Sequence, residues 1–489
     1  MSRHFPALLF LLPLFAAISM PMACLKHREW SHPIAIGVLS VMIVLSLLNL
    51  QQVLENGAIH YAFSGWTAPL GIEWVADPLA SIILVALSFL GFVALIFAGP
   101  TAPKDLGGRI VHFYTLILLL ISALTGIVFA GDLFNLFVFL EVAALASYAL
   151  VGVAGGRALF AAFRYLILGT LGASLYLLGV SYFYAASGTL NMADMAEKLP
   201  HLLTSRAVLG GLLFMFIGLG IKMALVPFHA WLPDAYACAP ESVSPILAAL
   251  VTKVALLGWV RVLFWVLGAK AVIQDIPVLL MVEILGSLAA IIGAVLAFSQ
   301  HEIKRMFAYG GISHIGIILI GVSQGNQTGF AGGIFYLLND AVMQAALFFF
   351  VGIAICQYGI RHIQDLGRIG KQAPWLIGAL VIIAMGMVGL PPTGGFFGKW
   401  YIILGALEAN NYVAVGAVLL STLLTLAYFV KIFDHLFRTS STASNAEVGD
   451  SPVALKFSLL ITSAAIVILG LWSDPIVGLI LNQALPPGL

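Results

Sequence analysis

Three lysines, Lys222, Lys253 and Lys399, stand inside runs of apolar residues, and so do three carboxylates, Glu141, Glu283 and Asp340. A charge at the centre of a bilayer costs about 2.5–3.5 kcal/mol, so three lysines cost on the order of 8–10 kcal/mol unless paired or hydrated. A buried lysine is also one of the few side chains able to take up and release a proton as its neighbour charges and discharges. Glu141 lies mid-run in GDLFNLFVFLEVAALASYALV with no cation at helical spacing. Its partner must come from elsewhere in the chain, and a lysine suits it. A carboxylate with one lysine, then a second and a third lysine further on, spell a proton wire along a membrane. His229 in PFHAWLPDA and His314 in YGGISHIG are candidate members, because histidine titrates near neutrality. His4, His27, His32 and His60 lie near ends or loops and need no role. Glu283, near the start of its run, is open between an interfacial and a buried place. Asp132, Asp234 and Glu241 border apolar runs, where helix capping is the expected task.

The elements that must position these groups are membrane helices. The chain of 489 residues is 62% hydrophobic and 9% charged, with a mean hydropathy of +1.08. Soluble proteins carry roughly 25% charged residues. Apolar stretches recur, each long enough to cross a hydrocarbon core of roughly 30 Å. They are continuous rather than alternating, which selects helices over a barrel. The expected fold is an all-α polytopic membrane protein with 14 spans, near 5–25, 34–52, 77–99, 109–130, 132–153, 158–185, 207–227, 241–266, 277–299, 306–322, 329–356, 374–405, 412–437 and 455–480. The first reads as a membrane helix rather than a signal peptide, because its apolar run is long and more spans follow. Residues 438–456 read as a polar linker.

Lysine and arginine sort by loop: 14 fall in odd-numbered loops, against 5 in even-numbered loops and the N-terminus. By the positive-inside rule the odd loops are cytoplasmic and both termini lie outside a cell (inner) membrane. Two spans are interrupted by proline: the seventh, IKMALVPFHAWLP, at Pro227, and the twelfth, MGMVGLPPTGGFFGKW, at Pro391 and Pro392. They lie five spans apart, so they take the same place in two five-helix units, spans 4–8 (109–266) and 9–13 (267–437). Three spans (1–108) precede these units, and the linker with the last span (438–489) follows. Five is odd, so the second unit runs through the membrane in the opposite sense. Lys222 precedes the first break and Lys399 follows the second, the mirror expected of an inverted pair. Broken helices in matching places point to an ion site near mid-membrane.

Several chemistries drop out. Cys24, Cys238 and Cys356 are far apart and form no metal-ligand or disulfide pattern. No phosphate-binding or dinucleotide motif is present, so no cofactor and no metal are expected in this chain. The net charge of +1 indicates no nucleic-acid partner.

The stretch around Glu141, the K-x4-P-F-H-x-W-L-P-D-A run from Lys222, the A-P-x-x-V-S-P run from Ala239, the run at 303–316 and the G-L-P-P-x-x-G-F-x-G-K run ending at Lys399 resemble the antiporter-like family. That family holds the large subunits of Mrp-type cation/proton antiporters and the proton-pumping membrane subunits of complex I and related hydrogenases. The resemblance covers most of the chain. FSGWTAPLGIEWVADPLAS (63–81) and ALVTKVALL (249–257) look most like the D branch of the Mrp antiporters. The resemblance implies a pair of Glu141 with Lys222, a central Lys253 and a terminal Lys399, with protons entering by one half-channel and leaving by another. Many relatives carry a lysine in the eleventh span; here the run is LLNDAVMQAALFFF, with Asp340 and Gln344. Either the second half-channel works differently or Asp340 has taken a carrying role. The leading expectation is a subunit of a multi-subunit Na+ (or K+)/proton antiporter, with other membrane subunits as partners. The alternative is a proton-translocating subunit of a redox complex of the complex I or membrane-bound hydrogenase kind. A stand-alone solute carrier ranks last, because the polar residues are titratable and strung along the chain rather than gathered in a pocket.

Overall fold

The computed structural model describes residues 4–369, 373–437 and 451–489. Of the charges counted above, Arg3, Lys371 and Arg438 lie outside these residues, as does most of the expected linker.

Eleven stretches are long and apolar enough to cross a membrane, and one of them, Pro78–Phe129, contains two helices, Pro78–Leu106 and Ile110–Phe129. The two remaining expected spans are split. The seventh is Arg206–Lys222 followed by Leu232–Cys238, and the twelfth is Pro374–Val388 followed by Gly394–Glu408. Each half is shorter than a full crossing. Every span expected from the sequence therefore has its helical counterpart. The last runs as Val453–Leu471 and continues in Ser473–Gln483.

Caps fix the ends. Asp77 accepts from the Ala80 N–H at the start of the third span, and Asp132 from the Asn135 N–H at the start of the fifth, each at 2.8 Å. Asn326 does the same for Gly329 at the eleventh, Gln327–Tyr358. These bonds satisfy helix N–H groups that the membrane cannot. One departure from an all-helical chain is a small antiparallel hairpin between the second and third spans, β1 (Ile59–Ala62) and β2 (Glu73–Ala76). There His60 Nδ1 lies 2.7 Å from Glu73 Oε1, so this histidine has a partner after all.

Contacts between loops follow parity. Trp74 bridges to Ala130 and Asp132 to Asn191, all in even-numbered loops, while Glu302 bridges to His362 in odd ones. Thr328 meets Glu408 and Arg28 meets Gly108 by the same rule. That is what an alternating crossing of all fourteen spans requires.

Burial divides the spans. The eighth, Ser244–Val266, and the tenth, Ile303–Val322, bury 94% and 89% of their apolar windows, whereas the first, second, ninth and thirteenth bury 33–39%. The outer spans turn leucine, valine and phenylalanine outward, as lipid contact demands. Glycines let backbones close up at two places. A Cβ on Gly218 of the seventh span would lie 2.5 Å from the Gly172 carbonyl of the sixth. One on Gly405 of the twelfth would lie 2.4 Å from Gly329 of the eleventh.

Candidate functional site

The first break follows Lys222 directly. Ala224 takes φ +58°, a left-handed conformation uncommon for a residue with a Cβ. The Leu225 N–H donates to Gly220 O, and the Trp231 indole N–H reaches back to Ile221 O at 2.9 Å. The end of the half-helix is thus tied off while Lys222 projects from its last turn, where the macrodipole favours a cation. Lys222 Nζ donates to Glu141 Oε1 at 2.8 Å. A cavity of about 20 Å³ beside Lys222 is lined by Tyr165, Val251 and Ala255 among others, room for about one water.

The second cluster sits on the opposite face of the eighth span, Ser244–Val266. Lys253 Nζ lies 2.8 Å from Asp340 Oδ2 and donates to Ala248 O at 2.8 Å. Asp340 Oδ1 lies 3.1 Å from His314 Nδ1, and that same nitrogen is 3.0 Å from the Tyr336 hydroxyl. Asp340 and His314 are fully buried. Several kilocalories of desolvation per ion make such a group tenable only when it is closely paired. His314 Nε2 is buried without a hydrogen-bond partner among the described residues.

Lys399 makes no ion pair among the described residues. Its Nζ donates to Met387 O at 2.9 Å, Val388 O at 3.1 Å and Thr422 Oγ1 at 3.1 Å, and stands 6.0 Å from the centre of the Tyr336 ring. Met387 and Val388 close the first half of the twelfth span, so its orphan carbonyls hold the ammonium. Gly389, at φ +84°, ends that half-helix, and a Cβ there would lie 3.1 Å from Lys399 Cδ.

The expected set is therefore brought together in two groups. Glu141 and Lys222 form one; Lys253, Asp340 and His314 form the other, with Lys399 across Tyr336. Val251 and Ala255 face Lys222, whereas Lys253, two residues from each, faces Asp340. The eighth span stands between the groups. Pro227, Pro391 and Pro392 lie within the two breaks. His229 joins neither group. It lines a separate cavity with Arg164, Asp234 and Arg305. Glu283 is half-buried.

Capping explains Asp132 but not its two companions. Asp234 pairs with Arg164 and, at 2.6 Å, with Arg305, and Glu241 pairs with Lys304 at 3.1 Å. Long-range partners of this kind leave no trace in local sequence. Tyr336, in contrast, lies four residues before Asp340, as Gln344 lies four after it, a helical stripe from which it could have been found.

Residues 130–425 match the family model described as NADH:quinone oxidoreductase/Mrp antiporter, transmembrane. The chain belongs to this family. It is 38% identical to NADH-quinone oxidoreductase subunit N of Desulforudis audaxviator, covering 99% of both chains. It is 31% identical to the D subunit of the Na(+)/H(+) antiporter of Alkalihalophilus pseudofirmus, covering 92% of this chain and 90% of that one. Among solved structures, a chain of the membrane-bound sulfane sulfur reductase, an archaeal respiratory membrane complex, superposes with a TM-score of 0.89 at 28% identity, covering 97% of this chain and 96% of that one. This is thus a polytopic, antiporter-like membrane subunit of the Mrp and complex I family.

Proposed function

We propose that this chain is the proton-translocating subunit of a multi-subunit Mrp-type antiporter that exchanges protons for Na+ or K+. Protons move laterally from Glu141–Lys222 through Lys253, Asp340 and His314 to Lys399. The observation that carries this reading is the placing of two carboxylate–lysine pairs, at 2.8 Å each, on either side of the most buried span. Such pairs cost desolvation energy that an apolar replacement would avoid, so a proton-carrying use accounts for them better than stability does. Spans 4–8 and 9–13 act as two inverted units, one around each break, with the odd loops cytoplasmic and both termini outside. Segments 63–81 and 249–257 support the antiporter.

The 38% identity to a quinone oxidoreductase subunit favours a second reading of the drive, in which electron transfer in partner chains works the same relay. In either case the partners are other membrane subunits. Purifying the tagged chain from its own host separates the two. Small membrane subunits alone support the antiporter; iron–sulfur or hydrogenase-like partners replace it with the redox pump. The relay itself is tested by Lys222→Ala in native vesicles, which abolishes driven proton movement while the complex still assembles. Normal movement in that variant would refute the relay.

A further inference from the structure

On the face of the odd-numbered loops a cavity of about 520 Å³ is lined by Asp105, Glu241, Arg305, Arg361 and the thiols of Cys238 and Cys356, among others. At this cavity Glu241 Oε2 lies 3.1 Å from Lys304 Nζ, which also donates to Ala239 O at 2.7 Å. The lysine side chain keeps 3% of its exposure and the glutamate 12%. This is a further carboxylate–lysine pair, outside the relay. Glu241 sits in the turn before the helix that starts at Ser244. Burial raises its carboxyl above the usual range and Asp105 adds to this, while Lys304 and Arg361 pull the other way.

The eighth and eleventh spans connect this pair to the relay. Lys253 meets Asp340 in their middle; twelve residues back along one lies Glu241, and twelve residues on along the other lies Gly352. A Cβ on Gly352 would lie 3.7 Å from the Glu241 Cβ, so the two spans stay in register over this stretch of about 18 Å. Within it, Leu247–Val251 is a π-helical turn, the kind of bulge found at functional sites. The Ala248 carbonyl accepts from Lys253 there and draws the ammonium toward the cavity. Ser242 Oγ and Gln344 Nε2 are buried on the same stretch with no hydrogen-bond partner among the described residues. Each is a buried polar group whose desolvation the protein does not offset, and a place that a water would satisfy.

We infer that Glu241, held by Lys304, is the proton-exchange group of the odd-loop face, and that the seam past Ser242 and Gln344 leads from it to Lys253 and Asp340. A proton passes from water in the cavity to the Glu241 carboxylate, which loosens Lys304. It then leaves to water in the seam, restoring the carboxylate and the ion pair. The inference rests on the relay reading above. Its test uses the assembled complex in native vesicles, with Lys253→Met as the control for the relay. Glu241→Gln should cut driven proton movement at least tenfold with the full subunit set retained. Glu241→Asp should restore much of it with a shifted pH profile, which a merely structural role would not produce. If Lys253→Met is dead while Glu241→Gln moves protons normally, the inference falls and the relay stands. Should Glu241→Gln fail to assemble, Ser242→Cys decides, made in a chain that carries Cys238→Ser and Cys356→Ser so that the native thiols of the cavity do not react. Labelling by a membrane-impermeant cationic thiol reagent, from the odd-loop face only and blocking transport, supports the seam. Absence of labelling from that face overturns it.

Discussion

The two broken spans solve one problem with different chemistry. Lys222 projects from the end of its own half-helix and meets a carboxylate, Glu141. Lys399 reaches back from the second half of its span to the closing carbonyls of the first, with Thr422 as the third acceptor. Both ammonium groups thus sit at the negative end of a half-helix, but only the first has an opposite charge in contact. The carboxylate nearest the second break serves another lysine: Asp340 pairs with Lys253 instead. The comparison teaches that a lysine can be held in this membrane either by an ion pair or by orphan carbonyls. The two should respond differently to removal, because taking one member of an ion pair leaves a charge behind and taking Lys399 leaves only neutral acceptors.

The largest effect is expected at Asp340. Asp340→Ala leaves Lys253 and His314 buried without their counter-ion, a loss of about 3–5 kcal/mol. Thermal scans of the purified complex should show marked destabilisation, with Asp340→Asn milder; unchanged stability would remove the second pair from the account. Next comes Lys222→Ala, which strands Glu141. Since that carboxylate keeps 25% of its exposure, the stability loss should be smaller than at Asp340, and a further Glu141→Gln should recover part of it. Lys399→Met comes third. It should stop proton movement with a stability loss of about 1–3 kcal/mol, because neutral acceptors lose their donor but no charge is orphaned; a loss as large as that of Asp340→Ala would erase the distinction between the two breaks. The smallest effect is expected at Asp194, which pairs with Lys198 on an exposed helix. Asp194→Ala should cost at most about 0.5 kcal/mol and leave transport unchanged.

Most of the architecture is legible in the sequence, for a physical reason. A bilayer forces continuous apolar runs on each crossing and punishes every charge inside one, so the spans, the two breaks and Lys222, Lys253, Lys399, Glu141 and Asp340 all stand out. What stays hidden is which charges meet. Glu141 and Lys222 are separated by 81 residues, so only the resemblance pairs them, and no periodicity joins Glu241 to Lys304. The sequence therefore marks Asp340 as a departure without revealing that it faces Lys253, and it assigns Glu241 to capping when its carboxylate is spent on Lys304. The hairpin of Ile59–Ala62 with Glu73–Ala76 escapes the sequence because four-residue strands carry too little pattern against so apolar a background.

Lys253 stands where the two groups must join if protons pass from one to the other. The most direct test is driven proton movement in native vesicles that hold the complex with Lys253→Met, its subunit set verified by purification. A series relay predicts a fall below about a tenth of the normal rate, the order of effect of losing a positioned proton-transfer group. Proton movement at the normal rate would contradict it.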